Sequence, residues 1–203
     1  MKLIVITSET FFEREAAAIN LLFENGLETL HLRKPFASQP ETEVFIEQIR
    51  KDYHPRIVLH DYYGLTERYD LKGIHLNRRN QEAFHGGERR FSISRSCHSL
   101  EEILVARFCD YVFLSPIFDS VSKVGYKQAF TPQQLEEAKV RNMITERVIA
   151  LGGITAKNIP IAQQYGFGGI AVLGALWSDY PSNGNDRELL KRFNELKMVA
   201  GDF

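Results

Sequence analysis

Eight short apolar runs alternate with segments of helical periodicity along this chain, and that alternation restricts the fold more than any other feature. The runs occupy residues 3–6, 29–32, 56–59, 73–76, 90–93, 111–114, 147–151 and 169–173. Apolar runs bounded by turn residues read as strands buried on both faces, whereas antiparallel strands open to water alternate apolar and polar side chains. Between the runs, Phe12, Ala16, Ile19 and Phe23 follow an i, i+4, i+7, i+11 spacing, with Asn25-Gly26 as a C-terminal stop. Phe45, Ile49 and Tyr53 repeat at i+4 after Pro40. Ser99-Leu100-Glu101-Glu102 and Thr131-Pro132-Gln133-Gln134 have the form of capping boxes, the second with proline at the first helical position. Thr155 is placed to cap a helix ending at Gly166, and Leu189, Phe193 and Leu196 mark a last helix. The connections after the third and fourth runs are short and polar and predict little helix.

Strict strand–helix alternation argues for a parallel sheet. Eight such units in 203 residues predict closure into an α/β (β/α)8 barrel, a single domain over 1–203, with the site at the C-terminal strand ends. An open doubly wound sheet is the structural alternative; its Gly-rich first turn is missing, because Thr7-Ser8-Glu9 contains no glycine.

Charge narrows the partners. The formal charge is -1, so the bulk field gives no reason to expect nucleic acid or an anionic membrane, and an anionic ligand must be met by local positive charge. No apolar run approaches the roughly 20 residues that span a bilayer. Cys97 and Cys109 form neither a C-x-x-C pair nor a disulfide framework, so buried thiols in a reducing, cytoplasmic setting are expected. The six histidines show no HExxH or other close ligand spacing, which argues against zinc.

The residues that carry chemistry sit after the strands. The seventh run leads into Gly152-Gly153 and the eighth into Leu173-Gly174. Glycine there lets backbone N–H groups approach an anion, and these two loops are the usual phosphate cradle of barrel enzymes. Relief of crowding at the turns accounts for the same glycines equally well. The connection 115–130 is long for its type and holds Ser120, Ser122 and Lys123, two hydroxyls and an ammonium able to wrap phosphoryl oxygens; a solvated loop is the plainer reading. Arg33 and Lys34 are adjacent cations after the second run, suited to a diphosphate or simply exposed. Asp61, in His60-Asp61, makes sense beside a diphosphate as a Mg²⁺ ligand, or else as a helix cap. Ser96 can hydrogen-bond an anion, and His98 reads first as a structural hydrogen-bond partner.

In order along the chain, Leu32-Arg33-Lys34, Leu59-His60-Asp61, Gly73-Ile74-His75-Leu76, Ser96-Cys97-His98-Ser99, Ser115-Pro116-Ile117-Phe118, Ser120-Val121-Ser122-Lys123, Ala150-Leu151-Gly152-Gly153-Ile154 and Gly169-Ile170-Ala171-Val172 resemble the signature segments of the thiamin phosphate synthase superfamily. The resemblance covers roughly residues 3–176. It implies thiamin biosynthesis: condensation of hydroxymethylpyrimidine diphosphate, through its methylene carbon, with a thiazole phosphate, with release of diphosphate. By resemblance, Arg33, Lys123 and Ser96 are the catalytic candidates. Lys34, His60, Ser120, Ser122, Gly153, Leu173 and Gly174 are the substrate-binding candidates, and Asp61 holds Mg²⁺. The partners implied are small phosphorylated substrates, and a homo-oligomer is left open.

Four positions depart from the family pattern. His31 stands for its glutamine, Pro35 for its lysine, His60 for its asparagine, and Asn80 for the aspartate that is its second magnesium ligand. Two other readings therefore stand beside the synthase. One is a TenI-type thiazole tautomerase, favoured by Arg95-Ser96-Cys97-His98-Ser99 and disfavoured by Pro116. The other is a non-catalytic phosphate-ester-binding barrel.

Overall fold

The computed structural model describes residues 1–80, 90–119 and 128–201. Eight parallel strands close into a barrel in chain order: β1 (Lys2–Ile6), β2 (Thr29–Leu32), β3 (Ile57–Leu59), β4 (Gly73–Leu76), β5 (Ser92–Cys97), β6 (Tyr111–Leu114), β7 (Val148–Leu151) and β8 (Gly169–Val172). The β1–β8 pairing, Ile4 opposite Ala171 and Val5 opposite Val172, shuts the seam. Trp177 reinforces it, donating from Nε1 to the Ile6 carbonyl at 2.8 Å. No helix among the described residues is long and apolar enough to cross a membrane.

The pleat sorts each strand's side chains into two cores. Outward residues such as Val5, Leu30, Leu59, Ile74, Val112 and Val172 join the large cluster beneath the helices. Inward residues Ile4, Ile6, Phe113, Ile149 and Ala171 form a separate cluster in the barrel interior. That cluster fills only the half of the interior made by β1, β6, β7 and β8. The other half is polar: His31, His75 and Ser94 are each fully buried there.

The helices depart from expectation in detail. Helix α1 spans Glu15–Glu24, so Phe12 lies ahead of it, packed edge-on against Trp177 and Tyr180. Helix α2 ends at Gln48 (Gln39–Gln48), because Ile49 turns extended; Tyr53 falls in a 3-10 turn and stacks on Phe23. Helix α3 (Leu65–Arg68) is a single turn. Before α4 (Leu100–Val105), Ser99 caps Glu102 N–H, but the Glu102 carboxylate takes the His98 N–H instead of returning to Ser99. The Thr131 box at α5 (Pro132–Val140) is complete. Asn158, not Thr155, precedes α6 (Ile159–Gln164) and accepts the Thr155 N–H at 2.9 Å. Two short helices, α7 (Gly174–Trp177) and α8 (Tyr180–Asn183), lead to α9 (Asp186–Ala200), which carries Leu189, Phe193 and Leu196 into the core.

Candidate active site

Strand β5 is displaced from the run at 90–93, and the reason shapes the site. Its sequence is polar, Ser-Ile-Ser-Arg-Ser-Cys, because its inward face meets histidines rather than hydrocarbon. Ser96 therefore lies within the strand, not after it, and points inward. Its Oγ is 2.8 Å from His75 Nε2, while Ser94 Oγ is 2.8 Å from His75 Nδ1. A cavity of about 180 Å³ opens at this end, lined by Asn77, Arg78, Arg95, Ser96, His98 and Glu102. A larger apolar groove of about 680 Å³ runs between α1 and α2, past Phe11, Ala17, Val44 and Phe45. It lies outside the barrel wall and gathers none of the strand-end residues.

His60 does not face a ligand at the mouth. Its side chain turns down into the barrel, where its Nε2 meets His31 Nδ1 at 2.9 Å, and its ring stacks on His75 with centroids 4.2 Å apart. The Tyr111 hydroxyl holds the other nitrogen of His31, Nε2, at 2.7 Å. Burial drives all three imidazoles toward the neutral form: His31 and His60 fall well below the usual histidine value, and His75 falls to about 3. Sequence spacing misses this cluster because positions 31, 60 and 75 are far apart in the chain. The signal was strand parity: His31, His75, Ser94, Ser96 and Tyr111 all fall on inward positions, of β2, β4, β5 and β6.

The adjacent cations part company. Arg33 stays at the mouth, a little over a quarter exposed, and its Nη1 binds Glu9 Oε1 at 2.7 Å. Lys34 points the opposite way, to the outside of the barrel. Its Nζ binds both Glu15 oxygens at 2.6 and 2.7 Å and the Thr10 carbonyl at 3.0 Å, beneath the rings of Phe11 and Phe45. Burial lowers the Lys34 pKa and raises that of Glu15 to about 7. Lys34 is thus removed from the substrate-binding set: consecutive strand-end residues face opposite sides, and a buried carboxylate has claimed this one.

Asp61 is likewise occupied. Arg79 approaches both of its oxygens, Nη2 lying 3.1 Å from Oδ2 and 3.2 Å from Oδ1, and Asn80 Nδ2 donates to Oδ1 at 2.7 Å. The turn that brings them over is closed by reciprocal backbone bonds between Asn77 and Asn80. Two facing carboxylates need a cation between them; a carboxylate, an amide and a guanidinium satisfy one another. Among the described residues the Mg²⁺ seat expected at Asp61 therefore does not fit the ion, which prefers several hard oxygen ligands and keeps its waters.

On the opposite side of the mouth, Gly152 and Gly153 have φ of 98° and 64°. A Cβ on Gly153 would lie 2.2 Å from the Asp119 carbonyl oxygen, so glycine is required there for close backbone packing between the loops after β6 and β7. Leu173 packs on the inner cluster, and Gly174 opens α7 directly after β8. His98 bonds the Ser115 carbonyl at 3.1 Å, a structural partner as expected. Ser120, Ser122 and Lys123 lie outside the described residues.

This constellation has relatives. A family model for thiamine monophosphate synthase matches residues 3–176. A thiamine-phosphate synthase of Bacteroides fragilis is 26% identical over 196 residues, covering 87% of this chain and 91% of that protein. One from Yersinia pestis is 28% identical, covering 85% of this chain and 80% of that protein. The crystal structure of a thiamine phosphate pyrophosphorylase from Bacteroides thetaiotaomicron superposes with a TM-score of 0.89 at 41% identity, over 99% of this chain and 98% of that one. A Pyrococcus furiosus counterpart, 21% identical with a TM-score of 0.74 and covering 99% and 96% of the two chains, shares the fold. A barrel whose strand ends carry these segments in this order, matched over most of its length, belongs to the thiamine monophosphate synthase family.

Proposed function

We propose that this chain is a thiamin phosphate synthase, a transferase that joins hydroxymethylpyrimidine diphosphate to thiazole phosphate, and that the barrel works as one unit over 1–203. One observation carries the reading: Arg33 and Ser96 on one side of the strand ends, and the loops of Gly153 and Gly174 on the other, in a chain of this family. That arrangement gives separate seats to a diphosphate and a monophosphate. A thiazole tautomerase and a non-catalytic barrel gain no support from the relatives.

In the reaction, the bond between the pyrimidine methylene carbon and the diphosphate oxygen breaks, and its electron pair leaves with the diphosphate. The thiazole nitrogen then donates its lone pair to the carbocation and closes the new C–N bond. The protein's task is to meet charge that grows on the leaving group. Arg33 serves this by exchanging Glu9 for a phosphoryl oxygen, with Ser96 and Lys123 as further donors. Ser120, Ser122, Leu173 and the amides of Gly153 and Gly174 seat the thiazole phosphate. Two buried cysteines that form no disulfide accord with a cytoplasmic setting.

The test is steady-state formation of thiamin phosphate by the purified chain. Arg33→Ala and Lys123→Ala should each lower kcat/KM by roughly 10- to 100-fold, the worth of one charge-assisted hydrogen bond. Turnover within twofold of the parent in both variants removes these cations from the mechanism.

The family's reaction generally uses Mg²⁺. With Arg79 and Asn80 on Asp61, we expect this chain to need it less. Activity in EDTA should stay within about tenfold of that in Mg²⁺, and Arg79→Ala should increase the dependence by exposing the carboxylate. Complete loss of activity in EDTA, restored by Mg²⁺, would return the ion to Asp61.

A further inference from the structure

We propose that His31, His60 and His75 form a binding site for one divalent transition-metal ion, of the Zn²⁺, Co²⁺ or Ni²⁺ class, inside the polar half of the barrel. One nitrogen from each ring lies within 4.8 Å of the other two. His31 Nδ1 and His60 Nε2 are 2.9 Å apart, a separation that two ligands at about 2.1 Å from one ion reach with an angle of roughly 90°. The outer nitrogens are held as ligand histidines require. Tyr111 holds His31 through Nε2 and Ser94 holds His75 through Nδ1; His31 Nδ1 faces His60 Nε2, and the Ser96 hydroxyl on His75 Nε2 has to swing aside for an ion. His75 Nε2 faces Ser96, and Ser96 lines the cavity at the strand ends, so that cavity is the entry path.

The chemistry of the donor set selects the metal. Three imidazoles suit borderline ions and not Mg²⁺, which takes oxygen. His31 and His60 are also two of the chain's departures from its family's pattern, and Asn80 is a third. The inference stands apart from the transfer reaction, since it concerns binding alone.

The test is titration of the metal-stripped chain with Co²⁺, read by the visible ligand-field bands of the ion, followed by displacement with Zn²⁺. One equivalent should bind, Zn²⁺ should bleach the bands, and Mg²⁺ should not. His31→Gln and His60→Asn, which put back the family's residue types, should each weaken binding at least about 100-fold. Ser94→Ala, which removes the hydroxyl held by His75 Nδ1 and the Ile74 carbonyl, should weaken it about 10- to 100-fold. Absence of bands in the folded parent chain overturns the proposal. So does equal affinity in the parent and all three variants, which would place the ion elsewhere.

Discussion

Acidification from pH 6.5 toward pH 5 is expected to strip stability from the metal-free protein, and the buried histidines are the cause. Each is neutral when folded, with a pKa below the ordinary 6.5, and each is free to take a proton when unfolded. The unfolded chain therefore binds more protons as the pH falls through 6.5. Stability is full above that value and is lost below it, down to about pH 3 for His75. One such group contributes about 1.4 kcal/mol per pH unit, so three contribute about 4 kcal/mol per unit. Glu15 acts in the opposite sense. Its folded pKa is raised to about 7, so between that value and its ordinary 4.5 the folded state gains stability as it takes up a proton. The readout is consequently a difference in slope. Urea unfolding at a series of pH values should show the double variant His31→Gln/His60→Asn losing stability more slowly than the parent, by about 1–3 kcal/mol per pH unit. Parallel slopes would mean that the two rings are protonated when folded.

Removing the Lys34 ammonium should be the most destabilising single change outside the barrel interior. Lys34 and Glu15 are both almost inaccessible, with side chains 2% and 0% exposed. Truncating one partner of such a pair leaves a carboxylate without compensation in an apolar setting, at a cost of about 3–5 kcal/mol. The loss in Lys34→Ala should be largest at pH 8 and smaller at pH 6, because burial already lifts Glu15 to about 7 and the orphaned group can take a proton. Replacing both partners, Glu15→Leu with Lys34→Met, should be close to neutral, since a buried pair gains little over hydrocarbon of similar volume. Chemical denaturation checks all three variants. KM for the diphosphate substrate should not move in any of them that folds. Unchanged stability with a raised KM would put Lys34 back at the mouth.

These two expectations mark where the sequence was legible and where it was not. Strands whose both faces meet hydrocarbon, such as β1 and β7, appear as apolar runs and were found within a residue or two. Strand β5 was misplaced because its inward face is serine, matched there to a histidine on β4 that a local window cannot see. The same blindness hid the histidine cluster. Its members are joined by barrel closure and not by spacing, although their shared inward parity was already written in the chain. Arg33 and Lys34 were read as a pair on the strength of adjacency. In a strand, adjacency means opposite faces, and Glu9 and Glu15 answer the two charges separately. Asn80 was seen as a lost acid. What the sequence did not disclose was that Arg79 and the Asn80 amide would take up Asp61 between them.

The most direct test of the transfer reaction is ³¹P NMR of the purified chain with both phosphorylated substrates. The account predicts that free inorganic diphosphate and thiamin phosphate appear together, one for one, as the two substrate signals decay. A thiazole phosphate signal that shifts on binding, while the pyrimidine diphosphate stays intact, would contradict it.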